Sequence, residues 1–265
     1  MTRTYAAVLV SIPHAGVLCP NEIPIHSLSE HQQQLAVDNV DWHTDKLYDF
    51  RDILGNAQTV FPYSQVYFNV NRHPDMIDES VPLTLNDLPI YREGLGPSVK
   101  QRKALLRKYH YTYHSEIART QKQFVLDGHS TVTGHQDVEG NAVSDDIILS
   151  DWQTSPLDPP EGIRTAPPGY LETYAEELER RSASLHLRVA RNTTYQSTYG
   201  HVMAAHGWDG KRRRGKKAPL LLQETNEDLY IKSGFIDIKR VEELRRIFAE
   251  ALSAMLNRIG DTDHN

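Results

Sequence analysis

Short apolar runs alternate along this chain with longer segments whose apolar positions recur every three or four residues. The runs Ala6–Ile12, Thr59–Phe61, Val66–Val70, Phe124–Leu126, Asp146–Leu149, Leu185–Ala190 and Pro219–Gln223 are rich in Val, Ile, Leu and Tyr and are flanked by Gly, Pro, Asn or Asp. They predict strands. The helical period predicts one or two helices within Ser29–Leu54. It also predicts one long helix over Ser98–Gln121, opened by Pro97, with Leu105, Leu106, Tyr109, Tyr113 and Ile117 on a face. A charged, mostly exposed helix is expected over Pro168–Ser184. A last helix, Lys239–Ile259, repeats Val241, Leu244, Ile247, Phe248, Ala251, Met255 and Leu256 at helical spacing. Strands alternating with helices predict an α/β sandwich with a mainly parallel or mixed sheet. No linker or repeat divides the chain, so one domain over residues 1–265 is expected, with Ser155–Pro168 as a surface loop.

In open α/β sheets, ligands bind where the carboxyl ends of strands meet loops. Polar residues follow four of the apolar runs. His14 follows AAVLVSIP, Asn71-Arg72 follows QVYFNV, His129-Ser130 follows QFVLDG, and Glu224 follows APLLLQ. Two histidines and a carboxylate hold one zinc ion and leave a position open for water. A second carboxylate serves as general base, and an arginine docks a substrate carboxylate in bidentate fashion. Together these parts make a hydrolase for an amide next to a carboxylate. The third metal ligand is left open. DNVDWHTDKLYDF offers Asp38, Asp41, His43, Asp45 and Asp49. On a helix Asp41 and Asp45 would share a face, with His43 turned away from both.

The bulk numbers narrow the picture without changing it. A net charge of −6 with 24% charged residues gives no broad basic field for nucleic acid. The one basic run, KRRRGKK at Lys211–Lys217, reads as a solvated loop. The single cysteine, Cys19, excludes an intramolecular disulfide and fits a reducing compartment. No apolar run approaches the ~18 residues of a membrane helix, and the N-terminal segment does not resemble a signal peptide. A cytoplasmic protein with no membrane or nucleic-acid partner is expected. His110 and His114 are four apart on the long helix, a spacing that can chelate metal, but no Glu of a zincin motif separates them. They read as structural or substrate-facing. Tyr63, Tyr67 and Phe68 read as packing, and Cys19 as a weak nucleophile candidate.

The order SIPHAG, DWHTDKLYDF, NVNR followed by PD, YH twice, DGHS, N-T-T-Y and QETNEDLYI, spread over residues 11–231, resembles the N-formylglutamate amidohydrolase (deformylase) family. The resemblance implies a three-layer α/β/α sandwich around a mixed, mainly parallel sheet, similar to zinc carboxypeptidases and aspartoacylase-like deacylases. It implies hydrolysis of N-formyl-L-glutamate to formate and L-glutamate, the last step of one histidine-degradation route. It implies zinc held by His14, Asp41 and His129, with Glu224 as general base. It further implies a small acidic N-acyl amino acid as substrate, bound by Arg72 and Asn71, with His114 and Tyr195 lining the pocket. Three positions depart from the family pattern. Asn69 stands where an Asp is usual, Thr194-Tyr195-Gln196-Ser197 replaces a Pro-Tyr and glycine pair, and the basic residue usual after that turn is missing from His201–His206. The metal-site residues are present and the substrate loop is changed. The same machinery acting on another N-acyl amino acid or a peptide end is therefore an alternative. A non-catalytic binding protein of this fold is a more distant one.

Overall fold

The structure, a computed structural model, describes residues 5–134, 142, 144–153, 162–193, 201–208 and 217–262. In chain order the strands are β1 (Tyr5–Ile12), β2 (Ala57–Val60), β3 (Thr84–Leu85), β4 (Leu88–Pro89), β5 (Gln121–Thr131), β6 (Ile147–Ser150), β7 (Trp152–Gln153), β8 (Ile163–Arg164), β9 (Val189–Arg191), β10 (Leu220–Asn226), β11 (Ile231–Lys232) and β12 (Phe235–Ile236). The α-helices are α1 (Gln32–Asp38), α2 (Thr44–Leu47), α3 (Arg51–Leu54), α4 (Ile77–Ser80), α5 (Val99–Leu105), α6 (Tyr111–Arg119), α7 (Tyr170–Arg181), α8 (His201–His206) and α9 (Ile238–Thr262).

The central sheet runs β2-β1-β5-β10-β6-β9. Its strands are parallel except at the β10–β6 step, which is antiparallel. Helices cover both faces, as a parallel sheet buried on both sides requires. Val8, Val10 and Ile12 of β1 point to one face and join Leu126, Leu221, Tyr174, Leu244 and Phe248 in a core under α7 and α9. Leu9 points to the other, where Val125 and Leu222 meet Tyr109, Tyr113 and Ile117 of the long helical segment. This is the three-layer α/β arrangement with a mixed, mostly parallel sheet. Among the described residues no helix is long and apolar enough to cross a membrane.

Several predicted elements are redrawn. Val66–Val70 is a buried turn, not a strand. The carbonyl of Ser64 accepts the amides of Tyr67 and Phe68 and bends the chain, and a short apolar run alone does not distinguish these outcomes. Ser29–Leu54 holds three short helices. The long helix is opened by Ser98, whose hydroxyl caps Gln101 in a capping box, rather than by Pro97. It is interrupted by a π-helical turn at Leu106–His110. The helix expected over Pro168–Ser184 to be mostly exposed buries Leu171, Tyr174, Ala175 and Leu178. The Leu185–Ala190 run becomes a 3-10 turn and a shorter strand, β9, after His186 takes a left-handed φ of 52°. In the Ser155–Pro168 segment, Ile163–Arg164 pairs with Trp152–Gln153; residues 154–161 lie outside the described residues, as do 211–216 of the basic run.

Candidate functional site

His14 lies just past β1, in a turn that passes close to the Phe61–Tyr63 backbone. A Cβ on Gly16 would come within 2.4 Å of Pro62 C, so only glycine lets the two segments approach. Asp41 sits in the turn between α1 and α2, not on a helix, so the helical-face comparison with Asp45 does not apply. Its amide donates to His14 O at 3.2 Å. Its carbonyl accepts the Thr44 hydroxyl at 2.8 Å. His129 is inside β5, two residues after Asp127 and on the same sheet face. Glu224 is inside β10, directly opposite His129 in parallel register. These two therefore lie within strands near their carboxyl ends, whereas Asn71 and Arg72 follow the buried turn.

One ligand atom from each of His14, Asp41 and His129 lies within 4.8 Å of the other two. Asp41 Oδ2 is 3.2 Å from His129 Nδ1 and 3.7 Å from His14 Nδ1. The far nitrogens face oxygens: His14 Nε2 is 3.0 Å from Asn69 Oδ1, and His129 Nε2 is 3.3 Å from Asp127 Oδ2. A proton on each Nε2 leaves both Nδ1 lone pairs facing Asp41. Metal-binding histidines have this arrangement, with the outer N–H held by a carbonyl or carboxylate. Asp127 is held in turn, its Oδ1 accepting Ser11 Oγ at 2.9 Å.

The charge balance favours a cation. Asp41, Asp127 and Glu224 are buried around two histidines. Burial works against ionised Asp41, yet the hydrogen bonds and charges of His129 and His14 hold its carboxyl well below the usual range. Burial also works against charged His129, yet Asp127, then Asp41, lift it well above the usual histidine range. Burial pushes Glu224 up to about 8; His129 pulls it down, and Asp41 and Asp127 raise it further. Without a bound cation the centre must hold protons to offset its carboxylates. Two histidines and a carboxylate converging on one point fit a divalent ion such as zinc.

The other predicted residues are placed as follows. Asn71 Nδ2 is 3.4 Å from His129 Nε2, while its Oδ1 accepts the Val202 amide. Arg72 pairs its Nε with Glu79 at 3.4 Å, and its side chain is 30% exposed, open enough for a ligand to reach. His114 has both ring nitrogens engaged, by Val70 O at 2.9 Å and His206 Nε2 at 2.8 Å. Tyr195 lies outside the described residues. His43 takes a left-handed φ of 62° at the start of α2 and stands outside the converging trio, as do Asp38, Asp45 and Asp49. Burial raises the Cys19 thiol, against a hydrogen bond to Tyr67, which makes it a poorer nucleophile at neutral pH.

Sequence reasoning missed Glu227. Its Oε1 accepts the Trp42 amide at 3.0 Å and the Ser130 hydroxyl at 2.7 Å, linking the Asp41 turn to β5. Burial pushes its carboxyl up to about 7, against those two hydrogen bonds. The available signal was a second glutamate three residues after Glu224.

A family model described as N-formylglutamate amidohydrolase matches residues 6–231. The N-formylglutamate deformylase of Pseudomonas aeruginosa is 32% identical over 146 residues, 48% of this chain and 53% of that protein. That of Pseudomonas putida is 33% identical over 141 residues, 46% of this chain and 51% of that protein. The chain thus spans about half the length of the curated relatives it matches. The crystal structure of N-formylglutamate amidohydrolase from Ralstonia eutropha superposes with a TM-score of 0.66 at 18% identity, over 97% of this chain and 95% of that one, a likeness of fold. The matched stretch takes in the strands and turns that carry His14, Asp41, Asn71, Arg72, His129 and Glu224, and the chain belongs to the N-formylglutamate amidohydrolase family.

Proposed function

We propose that this protein hydrolyses N-formyl-L-glutamate to formate and L-glutamate with the help of a divalent metal, zinc being the expected one. The observation that carries the reading is the convergence of His14, Asp41 and His129 beside Glu224, in a chain of this family. His14 Nδ1, Asp41 and His129 Nδ1 would hold the ion. When bound, it supplies Lewis acidity and makes water more acidic.

This chain's own residues supply the rest. Glu224 holds the proton that water gives up and returns it to the leaving amine, so that the formyl C–N bond breaks as a C–O bond forms. Its place on β10, opposite His129 in register, keeps it beside the ion site for both steps. Arg72 binds a substrate carboxylate in place of its 3.4 Å contact with Glu79. Asn71 fixes the start of α8, its Oδ1 accepting the Val202 amide. Asp127 and Asn69 orient the two histidine rings. A cytoplasmic location belongs to the same reading.

The test is hydrolysis of N-formyl-L-glutamate by purified protein before and after chelation, with zinc added back. Activity that vanishes and returns supports the reading. No activity in the zinc-loaded protein overturns the substrate. The altered positions after Thr193 then favour another N-acyl amino acid or a peptide end, which a substrate panel would identify.

A further inference from the structure

A second group of histidines packs against the backbone of Val70–Arg72. His110 ends the π-helical turn, and His114 lies one turn on, in α6, with ring centroids 4.3 Å apart. His201 opens α8, its ring 5.1 Å from that of His110 and 4.7 Å from that of His114. One ring nitrogen from each of the three lies within 4.8 Å of the other two. The residues come from distant parts of the chain, and π turns recur at functional sites.

The hydrogen bonds fix how these rings present themselves. His110 Nε2 is 3.0 Å from Arg72 O, and His114 Nε2 is 2.9 Å from Val70 O. A carbonyl only accepts, so each Nε2 carries the proton and each Nδ1 presents a lone pair. His110 is 1% exposed, and its Nδ1 is buried with no hydrogen-bond partner. His201 Nδ1 is buried and unpartnered as well. A buried acceptor with nothing to accept is costly unless something fills the place. His114 Nδ1 instead accepts from His206 Nε2 at 2.8 Å.

We propose that His110, His114 and His201 form a second metal site, separate from His14–Asp41–His129, for a divalent transition ion that favours imidazole. Three uncharged nitrogen donors select zinc, cobalt, nickel or copper over calcium or magnesium. Burial first, and neighbouring histidines after it, bring His110 to about 4, His114 to about 2 and His201 to about 3, so the three rings are neutral at pH 7 and each keeps one unprotonated nitrogen. Lys217 adds positive charge near His201, and Lys122 and Lys217 do so near His206. This site therefore binds more weakly than the carboxylate-rich one. The ion displaces the His206 N–H from His114 Nδ1. It ties α8 to the π turn and so steadies Asn71, whose carbonyl accepts the His201 amide at 3.1 Å.

The experiment is titration of chelator-treated full-length protein with Co2+, read by equilibrium dialysis, elemental analysis and the cobalt absorption band. Wild type is expected to take up a second equivalent at higher cobalt. H110N/H201N loses that weaker equivalent and keeps the tighter one. H129A loses the tighter one and keeps the weaker, which separates failure of this site from failure of the primary centre. H206A removes the competing donor and tightens the weaker equivalent by about tenfold. Circular dichroism checks each fold, and H206A keeps the proposal testable should H110N/H201N not fold. Wild-type uptake by a folded H110N/H201N, or no second equivalent in both wild type and H206A, overturns the proposal.

Discussion

Glu224 on β10 stands directly opposite His129 on β5 in parallel register. Register partners in a parallel pair point to the same sheet face, so backbone pairing rather than a flexible loop holds the carboxylate beside the histidine. Glu224→Gln keeps the shape and removes the proton acceptor. Turnover is expected to fall by about 10²–10⁴-fold while the metal content of the primary centre is unchanged. Undiminished turnover would remove Glu224 from the chemistry.

Asn69 Oδ1 accepts from His14 Nε2 at 3.0 Å, at the position where the family pattern usually has an aspartate. An amide oxygen orients the ring but does not pull on its proton as a carboxylate does. Asn69→Asp is expected to make His14 Nδ1 more basic and tighten metal binding by about tenfold, and Asn69→Ala to weaken it by a similar factor. Competition with a chromophoric chelator measures both. The same affinity in all three proteins would mean that this contact does not tune the ligand.

Arg72 keeps a contact with Glu79 at 3.4 Å and presents a partly exposed guanidinium. Lysine retains the charge and loses the planar fork. Arg72→Lys is expected to raise KM for N-formyl-L-glutamate by about tenfold, a loss of about 1.4 kcal/mol in binding, with kcat changed much less. A selective fall in kcat would place Arg72 in the chemistry instead.

A Cβ on Gly128 would come within 2.7 Å of the Tyr48 ring. That ring is fully buried, and its hydroxyl lies 2.8 Å from both His129 O and Thr225 Oγ1. Overpacking here has little room to relax. Gly128→Ala is expected to destabilise the protein by about 1–3 kcal/mol and to disturb His129 through Tyr48. Thermal or denaturant unfolding gives the first effect, and metal affinity the second.

Part of this was legible from the chain. β1 and β5 are buried on both faces, so they read as continuous apolar runs, and the polar residues at their ends stand out as His14 and His129. Asp41 was legible only as one of five candidates. It sits in a turn whose shape depends on His14 O, which lies 27 positions earlier, and local periodicity carries no such information. The Val66–Val70 run has strand composition, but Ser64 makes it a turn. Glu227 was hidden for the same reason, and of the second histidine group only the His110–His114 spacing was legible, not the approach of His201 and His206. Glu227 acts across 185 positions on Trp42, and His114 meets His206 across 92. The capping box at Ser98 was local and readable, with Pro97 drawing the eye one position early.

The histidine group also sets an acid limit. Burial first, and neighbouring positive groups after it, bring His110 to about 4, His114 to about 2, and His201 and His206 to about 3. The ordinary value is about 6.5. Between pH 6.5 and 4 the unfolded chain therefore binds more protons at these positions than the folded one. By linkage their contribution to stability is intact above pH 6.5 and is lost as pH falls through that window. His206→Gln removes one such ring, and the fall in stability between pH 7 and 5 should shrink by about 2 kcal/mol. Cobalt bound to His110, His114 and His201 of wild type should raise stability at both pH values and leave the fall unchanged, because these rings are already unprotonated in the folded state at pH 5. Glu227 titrates in the opposite sense. Its raised pKa favours the folded state at low pH, with that contribution lost as pH rises through about 7. The comparison is therefore made between variants at each pH, by denaturant unfolding at pH 5 and 7, with and without cobalt. Parallel stability profiles for wild type and His206→Gln would show that His206 is not held neutral by the fold.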